Sequence, residues 1–336
     1  MQPGPARFDS ALQAWVLSSH EEVGAALRDP HLAAGSSDPT AVHLALRDAA
    51  AHTLSADRLA SWHAAFERSA LERAAALPAD RPIDLVASFA APWALSLAVS
   101  VTGAPPAAAA ELADLARQVF LAAAFRTDDR EQPESLGPAA ALARRLPGAE
   151  GTIDVQAFVA LSQTLPHLLG GVWLELFGQP DAARRVRDEP RLSTQALEEL
   201  LRLAGPAHAV FRRARADVRI GGASIRAGDR VVLLLAAASR DPARFPDPDK
   251  VDLDRAARDH HAFGGGAHAC SGARLVRAAA LTATDALLRT TDTIELLAPV
   301  TWIDGFAIRT PASLPAVLRR VAPRPSDVTT ARPARV

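Results

Sequence analysis

One cysteine occurs in the 336-residue chain, Cys270, and it lies in the run Phe263-Gly264-Gly265-Gly266-Ala267-His268-Ala269-Cys270-Ser271-Gly272. A thiol just ahead of a helix can be held as a thiolate by the helix's N-terminal amides, and glycines beside it let the backbone pass close to a flat ligand. Three other readings compete. The cysteine could be a small buried hydrophobe, a Cys/His nucleophile, or a zinc ligand with His260, His261 and His268, although that spacing matches no common zinc pattern. Packing alone gives no reason for four glycines and a histidine around one thiol.

Such a loop needs elements to hold it. Helical spacing of apolar residues predicts helices over His20–Arg28, Ala41–His52, Ala56–Ala76, Ile83–Val101, Ala107–Ala123, Asp154–Phe177, Asp181–Asp188, Ser193–Leu203 and Ala273–Arg289. Polar stretches over Arg126–Gly137 and Leu146–Gly151 read as loops. The Gly221-Gly222 pair between Asp217–Ile220 and Ala223–Ile225 predicts a hairpin, and strands are expected at Thr293–Leu296, Trp302–Arg309 and Pro315–Arg319. The fold class is mainly α with small β-sheets (α+β), with one domain over 1–322 and a disordered Pro-, Arg- and Thr-rich tail over 323–336.

Composition narrows the partners. Hydrophobic residues make up 49% of the chain and charged residues 22%, enough apolar material for a sizeable core. A formal net charge of −1 provides no global basic field for nucleic acid or an anionic membrane. A lone cysteine excludes an internal disulfide and fits the cytoplasm. No membrane span is expected, since the apolar stretch Phe89–Gly103 is interrupted by Pro92 and Ser96 and reads as a buried helix.

The run Phe263–Gly272 resembles the cytochrome P450 signature FGxGxHxCxG at every fixed position, which is far more restrictive than a short glycine motif. Glu199 and Arg202, three apart on a predicted helix and able to pair there, match the family's ExxR. Segments through Phe211–Ala214, Gly228–Val232 and Arg240–Pro248 follow bacterial members, and the resemblance runs from about Trp15 to Arg320. It implies a P450-like fold shortened at the N-terminus, where a helix and strands are trimmed, and in the distal roof. It also implies haem b (iron protoporphyrin IX) with Cys270 as the iron ligand, its thiolate favouring O–O cleavage. Phe263, Gly264, Gly266 and Gly272 would then shape the loop. His268, Arg212 and the pair His43 and Arg47, which matches HxxxR, would bind the haem propionates. Lys250 or Arg255 would complete the Glu199–Arg202 network.

Two departures stand out. Where the family carries AGx[D/E]T on its distal helix, this chain has Ala160-Leu161-Ser162-Gln163-Thr164, so the alcohol remains while the acid is an amide and the glycine a leucine. Thr164, Gln163 and Ser162 are the candidate distal residues, unless they merely satisfy backbone in a helix bent by Pro166. Only ten residues separate Leu32 from His43, and the region from Arg126 to Asp154 is compact, so an open distal pocket is expected. That would suit a large substrate, a carrier-presented one, or a site completed by a second copy of the chain.

The resemblance implies an oxidative haem-thiolate enzyme of specialised metabolism acting on an organic substrate, fed electrons by a ferredoxin-type partner. Such a partner would dock near Arg47, Arg58, Arg274 and Arg277. The distal departures raise two alternatives: the same haem with non-standard chemistry (peroxygenation, coupling or rearrangement), and a catalytically silent haem-binding or partner-recruiting protein.

Overall fold

The computed structural model describes residues 3–34, 56–127, 137–147, 152–189, 193–256 and 259–320. His43, Arg47, the expected helix Ala41–His52 and the tail 323–336 lie outside the described residues, as does the side chain of Arg58.

Strands β1 (Arg7–Asp9) and β2 (Ala14–Leu17), three and four residues long, form a hairpin ahead of helix α1 (His20–Arg28). Helix α1 starts where Ser19 accepts the Glu22 amide, with Glu21 and Glu22 in its first turn to complement the helix dipole. Then come β3 (Leu32–Ala33), α2 (Ala56–Ala76), β4 (Pro82–Asp84), a π turn (Val86–Ala90), α3 (Ala91–Thr102) and α4 (Ala109–Ala124). The expected helix from Ile83 is thus split into strand, π turn and helix. Between α4 and α6 (Thr152–Val159), the described residues hold one short helix, α5 (Pro138–Ala143). A second π turn, Ala160–Thr164, joins α6 to α7 (Leu165–Phe177), which is followed by α8 (Pro180–Asp188) and α9 (Ser193–Ala204).

Both π turns have one cause. Pro92 and Pro166 each follow two residues after a π segment ends, and proline has no N–H to give the carbonyl four residues back. The helix widens instead, with Ala91 N–H bonding the Val86 carbonyl and Leu165 N–H bonding the Ala160 carbonyl. The kink expected at Pro166 is therefore a π turn lying on the five residues singled out as distal. The turns also pack crosswise, Val86–Ala90 against α7 and Ala160–Thr164 against α3.

The remaining strands are β5 (Val210–Ala214), β6 (Val218–Ile220), β7 (Ala223–Ile225) and β8 (Arg230–Leu233). Helices α10 (Leu235–Ala238) and α11 (Ala273–Thr290) precede β9 (Thr293–Leu296), β10 (Thr301–Asp304), β11 (Arg309–Ser313) and β12 (Pro315–Arg319). One sheet runs β1-β2-β8-β5-β3, with β2 and β8 parallel and its other pairs antiparallel. A second runs β4-β12-β9, while β6-β7 and β10-β11 are separate hairpins. The single strand expected over Trp302–Arg309 is a correction: Asp304-Gly305 turns the chain, and β10 pairs back on β11.

The largest core cluster lies where α3, α7, α9 and α11 meet, and Trp93, Trp173, Phe89 and Phe158 are fully buried there. The Phe89 and Trp173 rings stack 5.6 Å apart, and Trp173 Nε1 donates to Thr284 Oγ1 at 3.1 Å. By length and composition the run Asp154–Phe177 could cross a membrane, but 67% of its most apolar window is buried within this fold.

Candidate functional site

The loop carrying Cys270 lies between α9, α1 and α11. Gly264 N–H bonds the His261 carbonyl at 2.9 Å, Cys270 N–H bonds the Phe263 carbonyl at 2.9 Å, and Ala269 N–H bonds the Gly266 carbonyl at 3.2 Å. These bonds close the chain on itself and leave Cys270 exposed. Gly264 and Gly266 adopt left-handed φ values of 67° and 63°. The space around the two differs. A Cβ on Gly266 would run into the Leu27 carbonyl and Arg28 Cα at the end of α1, whereas one on Gly264 meets nothing closer than the His268 carbonyl at 3.6 Å. A Cβ on Gly272 would lie 3.9 Å from Cys270 Sγ, an ordinary contact, and His268 ends the one-turn helix Gly266–His268.

Desolvation by surrounding protein raises the Cys270 pKa above its ordinary value, outweighing the Gly272 amide and Arg277, which lower it. The sulfur is a poor nucleophile by itself, and a bound metal would deprotonate it outright. Among the described residues no three His, Cys, Asp or Glu side chains converge as a metal site, which disfavours the zinc reading. His261 Nε2 donates to the His20 carbonyl at 3.1 Å, and burial holds its pKa down to about 4.

Below the loop, Glu199 is 4% exposed and Arg202 2%. Arg202 Nε and Nη2 each donate to Glu199 at 2.8 Å, and its Nη1 donates to the Ser239 and Pro248 carbonyls. Arg255 Nε lies 3.0 Å from Glu199 Oε1, whereas Lys250 is exposed and pairs with Asp247. A helix carboxylate thus joins two buried guanidiniums and the loop 239–255.

Arg212 lies on β5, 5% exposed, and its Nη1 donates to the Phe211 carbonyl at 2.8 Å. Among the described residues no carboxylate pairs with it, and burial lowers its pKa to about 10. A buried, uncompensated cation is costly and marks a place for an anion. Together with an exposed soft sulfur donor, it fits an iron porphyrin bearing carboxylates.

On the distal π turn, Ser162 and Gln163 are buried. Gln163 Nε2 donates to the Ala113 carbonyl of α4 at 3.1 Å and approaches Ser162 Oγ at 3.4 Å. Thr164 is half-buried, and nothing among the described residues hydrogen-bonds its hydroxyl. The end of α4 is tied down, since the Ala124 carbonyl accepts the Ala307 and Ile308 amides of the β10–β11 turn at 3.0 and 3.4 Å.

Spacing did not reveal Glu198, immediately before the expected pair. Arg277 Nε and Nη2 grip its carboxylate at 2.6 and 3.0 Å, and His260 Nε2 lies 3.2 Å from Oε2. The signal available was the doubled Glu198-Glu199, since adjacent helix positions lie about 100° apart and face different neighbours.

The cytochrome P450 family model matches residues 187–291. Nocardicin C N-oxygenase of Nocardia uniformis subsp. tsuyamanensis is 34% identical over 270 residues, covering 70% of this chain and 67% of that protein. Mycinamicin IV hydroxylase/epoxidase of Micromonospora griseorubida is 40% identical over 42% of this chain and 37% of its own. Beta-dihydromenaquinone-9 omega-hydroxylase of Mycobacterium tuberculosis is 30% identical over 86% of this chain and 65% of its own. The chain thus spans about two thirds of the first and third relatives and less of the second. Among solved structures, P450BioI bound to an acyl carrier protein aligns with a TM-score of 0.80 at 23% identity, over 93% of this chain and 94% of that one. Mycobacterium smegmatis CYP164A2 with econazole aligns with a TM-score of 0.80 at 21% identity, over 94% and 93%. The resemblance of the Cys270 loop, the alignment across two thirds of a curated relative and the shared fold agree, and this chain belongs to the cytochrome P450 family, which implies a haem-iron cofactor.

Proposed function

We propose that this protein is a cytoplasmic haem-thiolate monooxygenase of specialised metabolism, acting on a small or carrier-presented organic molecule with haem b as its cofactor and a ferredoxin-type protein as its electron source. The observation that carries this reading is that the chain has both an exposed Cys270 sulfur and Arg212, a buried cation with no counter-charge among the described residues. The family's small-molecule oxidations and the relatives named hydroxylase, epoxidase and N-oxygenase support it.

Bound haem supplies one-electron and oxygen chemistry, with thiolate donation favouring O–O cleavage. Cys270 is the residue that would hold the iron, while Arg212 and His268 would hold the propionates, joined by His43 and Arg47 from outside the described residues. Phe263, Gly264, Gly266 and Gly272 hold the loop in shape beneath it. The Glu199–Arg202–Arg255 cluster anchors the helix under that loop. Thr164 Oγ1, unspent within its own helix, is the group free to hold a proton on the distal side. The reduced carbon monoxide difference spectrum tests the assignment: a thiolate-type Soret band is expected, and it should vanish in Cys270→Ser. A band that survives that substitution would remove the reading.

Gln163 favours a second reading, in which the same haem runs on peroxide or performs coupling or rearrangement. Its amide cannot titrate, and its Nε2 is engaged with Ala113. Turnover with NAD(P)H and redox proteins, compared with turnover on hydrogen peroxide, separates the two.

A further inference from the structure

Glu198 and Glu199 are consecutive, yet their carboxylates enter different ionic clusters. Glu199 turns toward Arg202 and Arg255. Glu198 turns toward the cysteine loop, where Arg277 of α11 binds both its oxygens and His260 reaches one of them. Ala262 N–H donates to His260 Nδ1 at 3.2 Å, so it is Nε2 that faces Glu198. The Glu198 carboxylate and the Arg277 guanidinium offset each other's charge.

The cluster borders the sulfur. The Arg277 guanidinium lies over the Phe263 ring, 4.5 Å from its centroid, and the Phe263 carbonyl accepts the Cys270 amide. Arg277 is also a charge felt at Cys270. A lone guanidinium here would draw electron density toward itself through partly desolvated surroundings, where charges act strongly. The Glu198 carboxylate offsets that pull.

We propose that Glu198 is a positioning residue which neutralises Arg277 and so sets how strongly Cys270 donates electrons to the haem iron. The inference rests on the haem-thiolate reading.

The test is the reduction midpoint of the haem-loaded protein, measured by spectroelectrochemistry for Glu198→Gln, Arg277→Gln and the double variant, with a thermal melt of each. Glu198→Gln leaves a cation near the sulfur and should shift the midpoint upward. Arg277→Gln leaves an anion and should shift it downward, and the double variant should return close to the parent value. A purely structural cluster would lower the melting temperature in both single variants without opposite shifts. Midpoints that move the same way, or not at all, overturn the proposal. If Glu198→Gln fails to hold haem, the double variant must hold it with a near-parental midpoint; its failure also overturns the proposal. Loss of the haem-thiolate reading is distinguished by the Cys270→Ser spectrum, which these variants do not alter.

Discussion

Gln163 Nε2 donates to the Ala113 carbonyl at 3.1 Å, so the amide standing where the family resemblance leads one to expect an acid helps tie the π turn Ala160–Thr164 to α4. A carboxylate there would set acceptor against acceptor. Gln163→Glu should destabilise the protein by about 1–3 kcal/mol near neutral pH. The loss should shrink on mild acidification, because the buried carboxyl would have a folded pKa above its unfolded one and protonation would restore a donor. Urea melts at two pH values check this. Equal stability of parent and variant at the higher pH would show that the Ala113 contact carries no weight.

Arg212 is a buried cation with no carboxylate beside it among the described residues, and the proposed function gives it a haem propionate as partner. Arg212→Met should leave the haem-free protein as stable as the parent, or more so by about 1 kcal/mol. Haem binding should weaken by roughly 1.5–3 kcal/mol, the worth of a charge-assisted bond. Haem transfer to an acceptor globin and denaturant melts of the haem-free form separate the two effects. A variant that loses apo stability while keeping its haem contradicts the assignment.

The two left-handed loop glycines are expected to respond unequally. Gly264→Ala makes only an ordinary contact with the His268 carbonyl and bears the backbone penalty, about 1 kcal/mol. Gly266→Ala adds a collision with the Leu27 carbonyl and Arg28 Cα, so its cost should exceed that of Gly264→Ala by about 2 kcal/mol or more. Chemical denaturation of both variants provides the comparison, and equal costs would count against the packing role assigned to Gly266.

Acid should destabilise the fold in two stages. Burial holds His261 and His208 down to about 4, below their ordinary 6.5, so the unfolded chain binds more protons as pH falls through that interval and stability drops. For His261 the loss is on the order of 3 kcal/mol. Glu198, held down to about 2 by hydrogen bonds from His260 and Arg277 against the desolvation that opposes them, contributes stability above its ordinary 4.5 that is lost as pH falls toward 2. His261→Gln, which keeps a donor for the His20 carbonyl, should flatten the first stage and leave the second. An unchanged first stage in that variant would refute its origin.

The features most legible in the sequence were those whose chemistry is local. Phe263–Gly272 showed its loop because glycine and cysteine there have few other uses, and the hairpin at Gly221-Gly222 lies where expected. The spacing of Glu199 and Arg202 suggested their ion pair, but selecting Arg255 over Lys250 needed the fold of the loop from 239 to 255. Periodicity misread Val86–Ala90 and Ala160–Thr164 as plain helix, because a π turn keeps helical burial while adding one residue. The strand over Trp302–Arg309 was overextended although Asp304-Gly305 is a turn pair. Glu198 was passed over because its partners are 62 and 79 positions away in sequence.

The π turn Ala160–Thr164 makes the long run from Thr152 to Phe177 a rod indexed in two halves. Each residue in a helix turns the next by about 100°. Removing one residue from those five would swing Phe158, now wholly inside, round toward a different neighbour while α7 stayed in place. Within this turn the residue count is a phase setting, and the orientation of Thr164 depends on it.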